Sequence, residues 1–167
     1  MDTKPIFPLK DYKHEIPTGD ALGAFGVIRK HDMHTGVDLY CNEGDEVRAM
    51  CDGQIVAIEW FTGPSVQMPW WNDTQAIAIR SNFGTINYGE VKANSDFKVG
   101  DNVKAGDLIG WVTPVLKKDK GKVPSTSMLH VELYTEYMGD WALWEVGKPQ
   151  PSNLLDPTPL LQSALIV

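Results

Sequence analysis

Cysteine is scarce in these 167 residues, positive charge is outweighed, and long apolar runs are missing. Two cysteines, Cys41 and Cys51, are too few for a disulfide scaffold and lack the Cys-x-x-Cys spacing of a thiolate metal site. They either pair or lie as two buried thiols, and the sequence leaves both open. Asp and Glu number 22 against 15 Lys and Arg, a net charge of −7. That balance argues against the basic patch with which a nucleic-acid binder meets phosphates. The lysines at Lys117, Lys118, Lys120 and Lys122 are interrupted by Asp119 and Gly121, and read as a solvated loop. No stretch approaches the roughly 18 apolar residues of a membrane span. The opening Met-Asp-Thr-Lys-Pro has no apolar signal segment, so the expectation is a cytosolic chain, one exported without a signal, or one trimmed of its leader.

What remains is ordinary globular material. At 43% hydrophobic and 22% charged, the chain can fold, and its length suits one domain that buries about two thirds of its unfolded surface. Apolar runs are short: 47–50, 54–60, 76–80, 85–88, 108–112 and 129–134 read as strands. Gly-Asp and Asp-Gly phrases separate them, at Gly44-Asp45, Asp52-Gly53, Gly100-Asp101 and Gly106-Asp107. Regular short strands of this kind predict an all-β, antiparallel sandwich or barrel. Helical periodicity is confined to short candidates at 140–146 and 159–165. The first 20 residues, with Pro5, Pro8 and Pro17, read as an extended arm laid on the domain. The repeated Gly-Asp turns also occur in biotinyl and lipoyl carriers, but those need an exposed Lys at a hairpin tip, typically flanked by Met, and no Met-Lys-Met occurs here.

Four histidines are present: His14, His31, His34 and His130. His34 and Asp38 are four apart, around Thr35-Gly36-Val37, which is poor helix material. In a straight strand they would lie about 13 Å apart. A bend at Gly36 brings an imidazole and a carboxylate together, a pair that suits zinc. In 128–134, alternation puts Leu129, Val131 and Leu133 on one face and Met128, His130 and Glu132 on the other. The first face is core, so His130 faces a cleft and can complete a two-His, one-carboxylate site with an open fourth position. Taken singly, each histidine also has a plain structural reading as a turn or strand residue. His31 reads as an exposed loop histidine beside Lys30 and Asp32, though it is the nearest spare base.

The phrases His34-Thr35-Gly36-Val37-Asp38-Leu39, Gly44-Asp45-Glu46-Val47-Arg48-Ala49 and Asp52-Gly53-Gln54-Ile55-Val56 resemble, in that order, the lysostaphin-type zinc endopeptidases. Tyr88-Gly89-Glu90, the 99–110 segment, Leu129-His130-Val131-Glu132-Leu133 and Leu155-Asp156-Pro157 continue the likeness, which covers about residues 23–161. Members of that family cut peptide cross-bridges of bacterial cell walls. The resemblance implies a lysostaphin-like (duplicated hybrid motif) fold at 23–167 behind an arm at 1–22. It also implies zinc held by His34, Asp38 and His130.

Two positions depart from the family pattern. Met128 stands where the first His of a His-x-His phrase is expected, and Glu90 where a His follows a Tyr-x pair. In the family those histidines activate the attacking water and stabilise the tetrahedral intermediate. Met has no titrating proton. Glu90 can act as a base but, while ionised, cannot donate to an oxyanion. With both helpers replaced, the residues favour a zinc-keeping pseudoenzyme that binds peptidoglycan peptide or a protein partner. A domain of this size that resembles a wall hydrolase and shows no signal would suit a phage-encoded protein or part of a larger assembly. The alternative is an active endopeptidase with Glu90 as a non-standard base. Two aromatic segments, 60–71 and 134–144, hold five of the six tryptophans. Trp60, Trp70, Trp71 and Tyr134 are candidate substrate-binding residues there, the competing reading being a satellite core under loops.

Overall fold

The computed structural model describes residues 4–117 and 127–167. Lys118, Lys120 and Lys122 lie outside the described residues. Among the described residues nine strands form one antiparallel sheet: β1 (Val37–Tyr40), β2 (Glu46–Arg48), β3 (Gly53–Thr62), β4 (Thr74–Ser81), β5 (Gly84–Ala93), β6 (Asn102–Val103), β7 (Leu108–Val112), β8 (Met128–Tyr134) and β9 (Leu154–Leu155). The main path runs β1-β8-β5-β4-β3-β6. Strand β7 joins both β2 and β5, and β9 edges β8. The single α-helix of the described residues, α1 (Thr158–Ser163), realises the expected C-terminal turn. No helix among the described residues is long and apolar enough to cross a membrane.

Every run read as a strand lies in or overlaps one, because each alternates or is continuously apolar, and 47–50, 54–60 and 108–112 begin just after a Gly-Asp or Asp-Gly turn. Leu129, Val131 and Leu133 of β8 enter the core beside Val37 and Leu39 of β1, Ile77 and Ile79 of β4, and Ile86 and Tyr88 of β5. Tyr88 is fully buried, and its hydroxyl accepts a hydrogen bond from the Met50 backbone N–H at 2.9 Å, so its one polar atom is satisfied. Near the N-terminus, Phe7 and Leu9 are buried in the same core, and Ile6 and Leu9 make bridges to Leu165 and Val47. Cys41 and Cys51 are both buried free thiols, and burial raises both their pKa values.

The helix expected at 140–146 does not form. Its backbone groups are taken by other partners. The Ala142 N–H donates to the Tyr134 hydroxyl, the Trp144 carbonyl accepts from the Met33 N–H, and Glu145 bridges Asp32. Long-range pairing outweighs a weak local preference. The other aromatic segment closes the β3–β4 hairpin, through a 3-10 turn at Pro64–Val66.

Candidate metal centre

Strand register assembles the site. In the β1–β8 ladder Asp38 stands directly opposite His130, and in the β5–β8 ladder Gly89 stands opposite His130 as well. His34 lies just before β1, and the chain bends at Gly36, as its spacing predicts. The bend needs glycine for a second reason. A Cβ at Gly36 would sit 2.3 Å from the Val131 carbonyl oxygen and 2.9 Å from the His130 ring. Glycine therefore lets the backbone close over the imidazole.

His34, Asp38 and His130 are all buried, and three of their atoms converge. Asp38 Oδ1 lies 3.2 Å from His34 Nε2 and 2.8 Å from His130 Nδ1, and one ligand atom from each residue lies within 4.8 Å of the others. A tetrahedral ion with bonds of about 2.0–2.1 Å separates its ligands by about 3.3 Å, so the cluster has the size of a zinc cage. The opposite ring nitrogens are already spoken for. His34 Nδ1 is 2.9 Å from the Ala24 carbonyl, which fixes the proton there and leaves Nε2 as a lone pair. That Nε2 is buried without a hydrogen-bond partner. His130 Nε2 faces Glu132 Oε2 at 3.1 Å, the carboxylate–histidine arrangement that orients a metal-binding imidazole. These features fit zinc: an orphaned imidazole nitrogen, a second one pinned from behind, and a carboxylate between them.

Glu132 is itself held on all sides. Thr35 Oγ1 donates to it at 2.5 Å, Asn87 Nδ2 at 2.7 Å and the Tyr134 hydroxyl at 2.8 Å. Arg29 Nη2 donates to Asp38 Oδ2 at 2.9 Å and to the Leu22 carbonyl at 2.8 Å. Burial opposes ionisation of both carboxyls. The bond from His130 outweighs it at Asp38, and those from His130, Thr35 and Asn87 outweigh it at Glu132, so both stay ionised. Burial also opposes charge on His130, but Asp38 and Glu132 on its two sides push its pKa well up. Without metal, the ring keeps a proton where a cation would sit.

The triad forms part of the wall of a cavity of about 880 Å³. Glu90 and Met128 line the same cavity, as expected. Glu90 is the extra residue of a β-bulge: Gln75 pairs Val91, Ala76 pairs Gly89, and Glu90 is skipped with φ 65°. Bulges re-aim side chains, and a non-glycine residue in the left-handed region is strained. One Glu90 carboxylate oxygen is buried without a partner. Burial and the nearby Asp38 charge push its pKa up to about 8.

Of the aromatic candidates, Trp71 lines the cavity, while Trp60 and Trp70 are 50% and 63% exposed and do not. Tyr134 is fully buried beneath the cleft, where it bonds Glu132 rather than facing the opening. Phe61 and Trp141, not singled out as ligand-binding residues, complete the aromatic wall, with ring centroids 5.8 Å apart edge to face. Phe61 also lies 5.6 Å from the His130 ring. His31 is exposed and lies outside the cavity lining. Arg29 and the Ala24 carbonyl carried no sequence signal, since a loop arginine and a backbone oxygen belong to no spacing pattern.

Comparison with known proteins agrees with this geometry. The profile of peptidase family M23 matches residues 32–140. The glycyl-glycine endopeptidase ALE-1 of Staphylococcus capitis is 35% identical over 104 residues, 62% of this chain and 25% of that protein. Lysostaphin of Staphylococcus simulans is 34% identical over 104 residues, 62% of this chain and 19% of that protein. The chain thus spans a quarter or less of the length of these relatives. The catalytic domain of the antimicrobial peptidase lysostaphin from Staphylococcus simulans superposes with a TM-score of 0.56 and 26% identity, over 86% of this chain and 91% of that one. With this fold, this cluster and a profile match over most of its length, the chain belongs to peptidase family M23.

Proposed function

We propose that the chain is a zinc-dependent hydrolase of peptidoglycan peptides, with His34, Asp38 and His130 as metal ligands and Glu90 as the group that moves the proton. The observation that carries the reading is Glu90 itself. A strained bulge turns its carboxylate into the cavity that holds the triad, and leaves one buried oxygen with no protein partner. Strain of this sort persists where a site uses it. Zinc, when bound, supplies a Lewis acid that polarises a peptide carbonyl and makes water a better nucleophile at neutral pH.

The chain's own residues supply the rest. Asp38 and the two imidazoles are pre-set by Arg29, the Ala24 carbonyl and Glu132, so little reorganisation precedes metal binding. A dication in the triad favours the charged form of Glu90, whose raised pKa belongs to the metal-free site. The Glu90 carboxylate then accepts a proton from the attacking water and returns it to the leaving amine. Met128 contributes shape and no proton. The aromatic wall of Phe61, Trp71 and Trp141 shields the cleft and offers flat surfaces to a peptide. A name such as glycyl-glycine endopeptidase, borne by a relative, makes a peptide bridge the natural substrate class.

A second reading keeps the metal and drops the chemistry. Met128 favours it, because the cavity has no imidazole beyond the two in the triad to donate to an oxyanion. Release of soluble peptides from purified peptidoglycan by the zinc-loaded chain separates the two. Glu90→Gln should keep one zinc per chain and lower the rate by about a hundred- to ten-thousandfold. One zinc per chain with no product from the wild type would leave the binding reading standing.

A further inference from the structure

From the loop that overhangs the metal cluster, we infer that Arg29 makes the cleft selective for peptides with a free carboxylate beside the bond at the metal centre. The inference rests on the peptide-binding reading above and deepens it. Arg29 lies on a short loop clamped by the Ile28–Met33 bridge and by its own N–H to the Asp32 carbonyl at 2.8 Å. A single guanidinium nitrogen, Nη2, makes both of its bonds, to Leu22 and to Asp38. Among the described residues nothing bonds Nη1 or Nε, and the side chain is 45% exposed on the cavity wall. The head group is therefore anchored through Nη2, and its Nη1 and Nε donors remain free. Nη1 and Nε lie on different edges of the planar group, so a guanidinium held this way gives a carboxylate a charge-assisted bond from its free Nη1 rather than a parallel pair.

The charge around it narrows the ligand. Arg29 is the sole Lys or Arg among the described residues that line the cavity, which also holds Asp38, Glu90 and Glu132. Three carboxyl groups disfavour a dianion such as phosphate, whereas a single carboxylate can be matched by one arginine. A neutral peptide offers the free donors only carbonyl oxygens, whose bonds to a guanidinium are weaker than a carboxylate's. A substrate carboxylate gains a charge-assisted bond at the spot where the chain is already fixed relative to the metal ligands. The carboxylate can be a C-terminus or an acidic side chain, and the two sources are separable.

The test uses the zinc-loaded full chain and calorimetric binding of three synthetic probes. These are a peptidoglycan stem pentapeptide with all carboxylates free, the same peptide as its C-terminal amide, and the same peptide with only its side-chain carboxylates amidated. The wild type should prefer the free acid over one of the amides by about tenfold or more, the range of a charge-assisted pair. Whichever amide loses affinity names the source. Arg29→Gln should erase the preference while keeping one zinc, and Arg29→Lys should restore part of it. Equal weakening of all three probes by Arg29→Gln would overturn the proposal, since Arg29 would then act only through Asp38. So would loss of zinc in both variants, or a wild type that binds no probe or shows no preference. Cleavage without preference removes this inference alone; preference without cleavage removes the hydrolase reading alone.

Discussion

The floor of the cleft and its rim are built on opposite principles. The floor is strand: Asp38, His130 and Gly89 are fixed across two ladders, and Glu132 beneath them takes bonds from Thr35, Asn87 and Tyr134. The rim is mostly loop. Met68, Trp71, Trp141 and Ala142 line the cavity from outside the named strands, and the aromatic contacts are edge-on or tilted pairs. A floor set by register holds atoms within a few tenths of an ångström, which a metal demands. A rim set by loops can change without disturbing it, which specificity demands. The contrast explains how aromatic loops can vary around a metal cluster that stays whole, whereas Glu90 and Met128, on β5 and β8, belong to the floor.

The contrast breaks most visibly at His130. His130→Ala should abolish stoichiometric zinc binding, measured by metal analysis of dialysed protein. It should also destabilise the metal-free chain by about 3–5 kcal/mol in denaturant titration, because Asp38 and Glu132 lose the partner between them. Unchanged zinc content would refute the ligand assignment. Glu132→Gln is the next step down. It keeps the shape but weakens the bond that orients His130, and zinc affinity in a chelator competition should fall about ten- to a hundredfold. On the rim, Trp71→Ala should leave zinc affinity unchanged and weaken peptide binding about tenfold, whereas Trp60→Ala should change neither. Equal effects of the two tryptophans would erase the distinction between cavity wall and outer surface.

The smallest effect concerns Glu90 in metal-free protein. Its folded pKa, about 8, lies above that of an unfolded glutamate, so the folded chain binds a proton that the unfolded chain has released. Stability from this group is therefore full below the unfolded value and falls as pH climbs toward 8. Glu90→Gln cannot ionise. With chelator present, wild type and variant should melt alike near pH 4, and the variant should melt higher near pH 8. A variant that melts lower at pH 8 would contradict the burial of that carboxylate.

Much of the floor was legible in sequence because strands announce themselves. Leu129, Val131 and Leu133 alternate with Met128, His130 and Glu132, and that period alone separates core from cleft. Gly36 between His34 and Asp38 marks the bend, since no other residue admits the close approach of Val131 and His130. The bulge at Glu90 was not legible. Its skipped register depends on how β4 and β5 twist together, and no local residue pattern encodes that. The 140–146 segment misled for a related reason. Its short helical pattern is real, but Tyr134, Asp32 and Met33, distant in sequence, claim its backbone groups. Arg29 escaped notice because its role comes from the loop that carries it, not from spacing to Asp38.

Anomalous diffraction at the zinc edge, on crystals of the zinc-loaded chain, decides whether this floor is a metal centre with Glu90 beside it and an open coordination position. A single peak is expected, bonded to His34 Nε2, Asp38 Oδ1 and His130 Nδ1 at about 2.0–2.2 Å, with solvent in the fourth position and the Glu90 carboxylate facing that solvent. No peak at the triad, or a Glu90 oxygen bonded to zinc as a fourth protein ligand that closes the site, would contradict it.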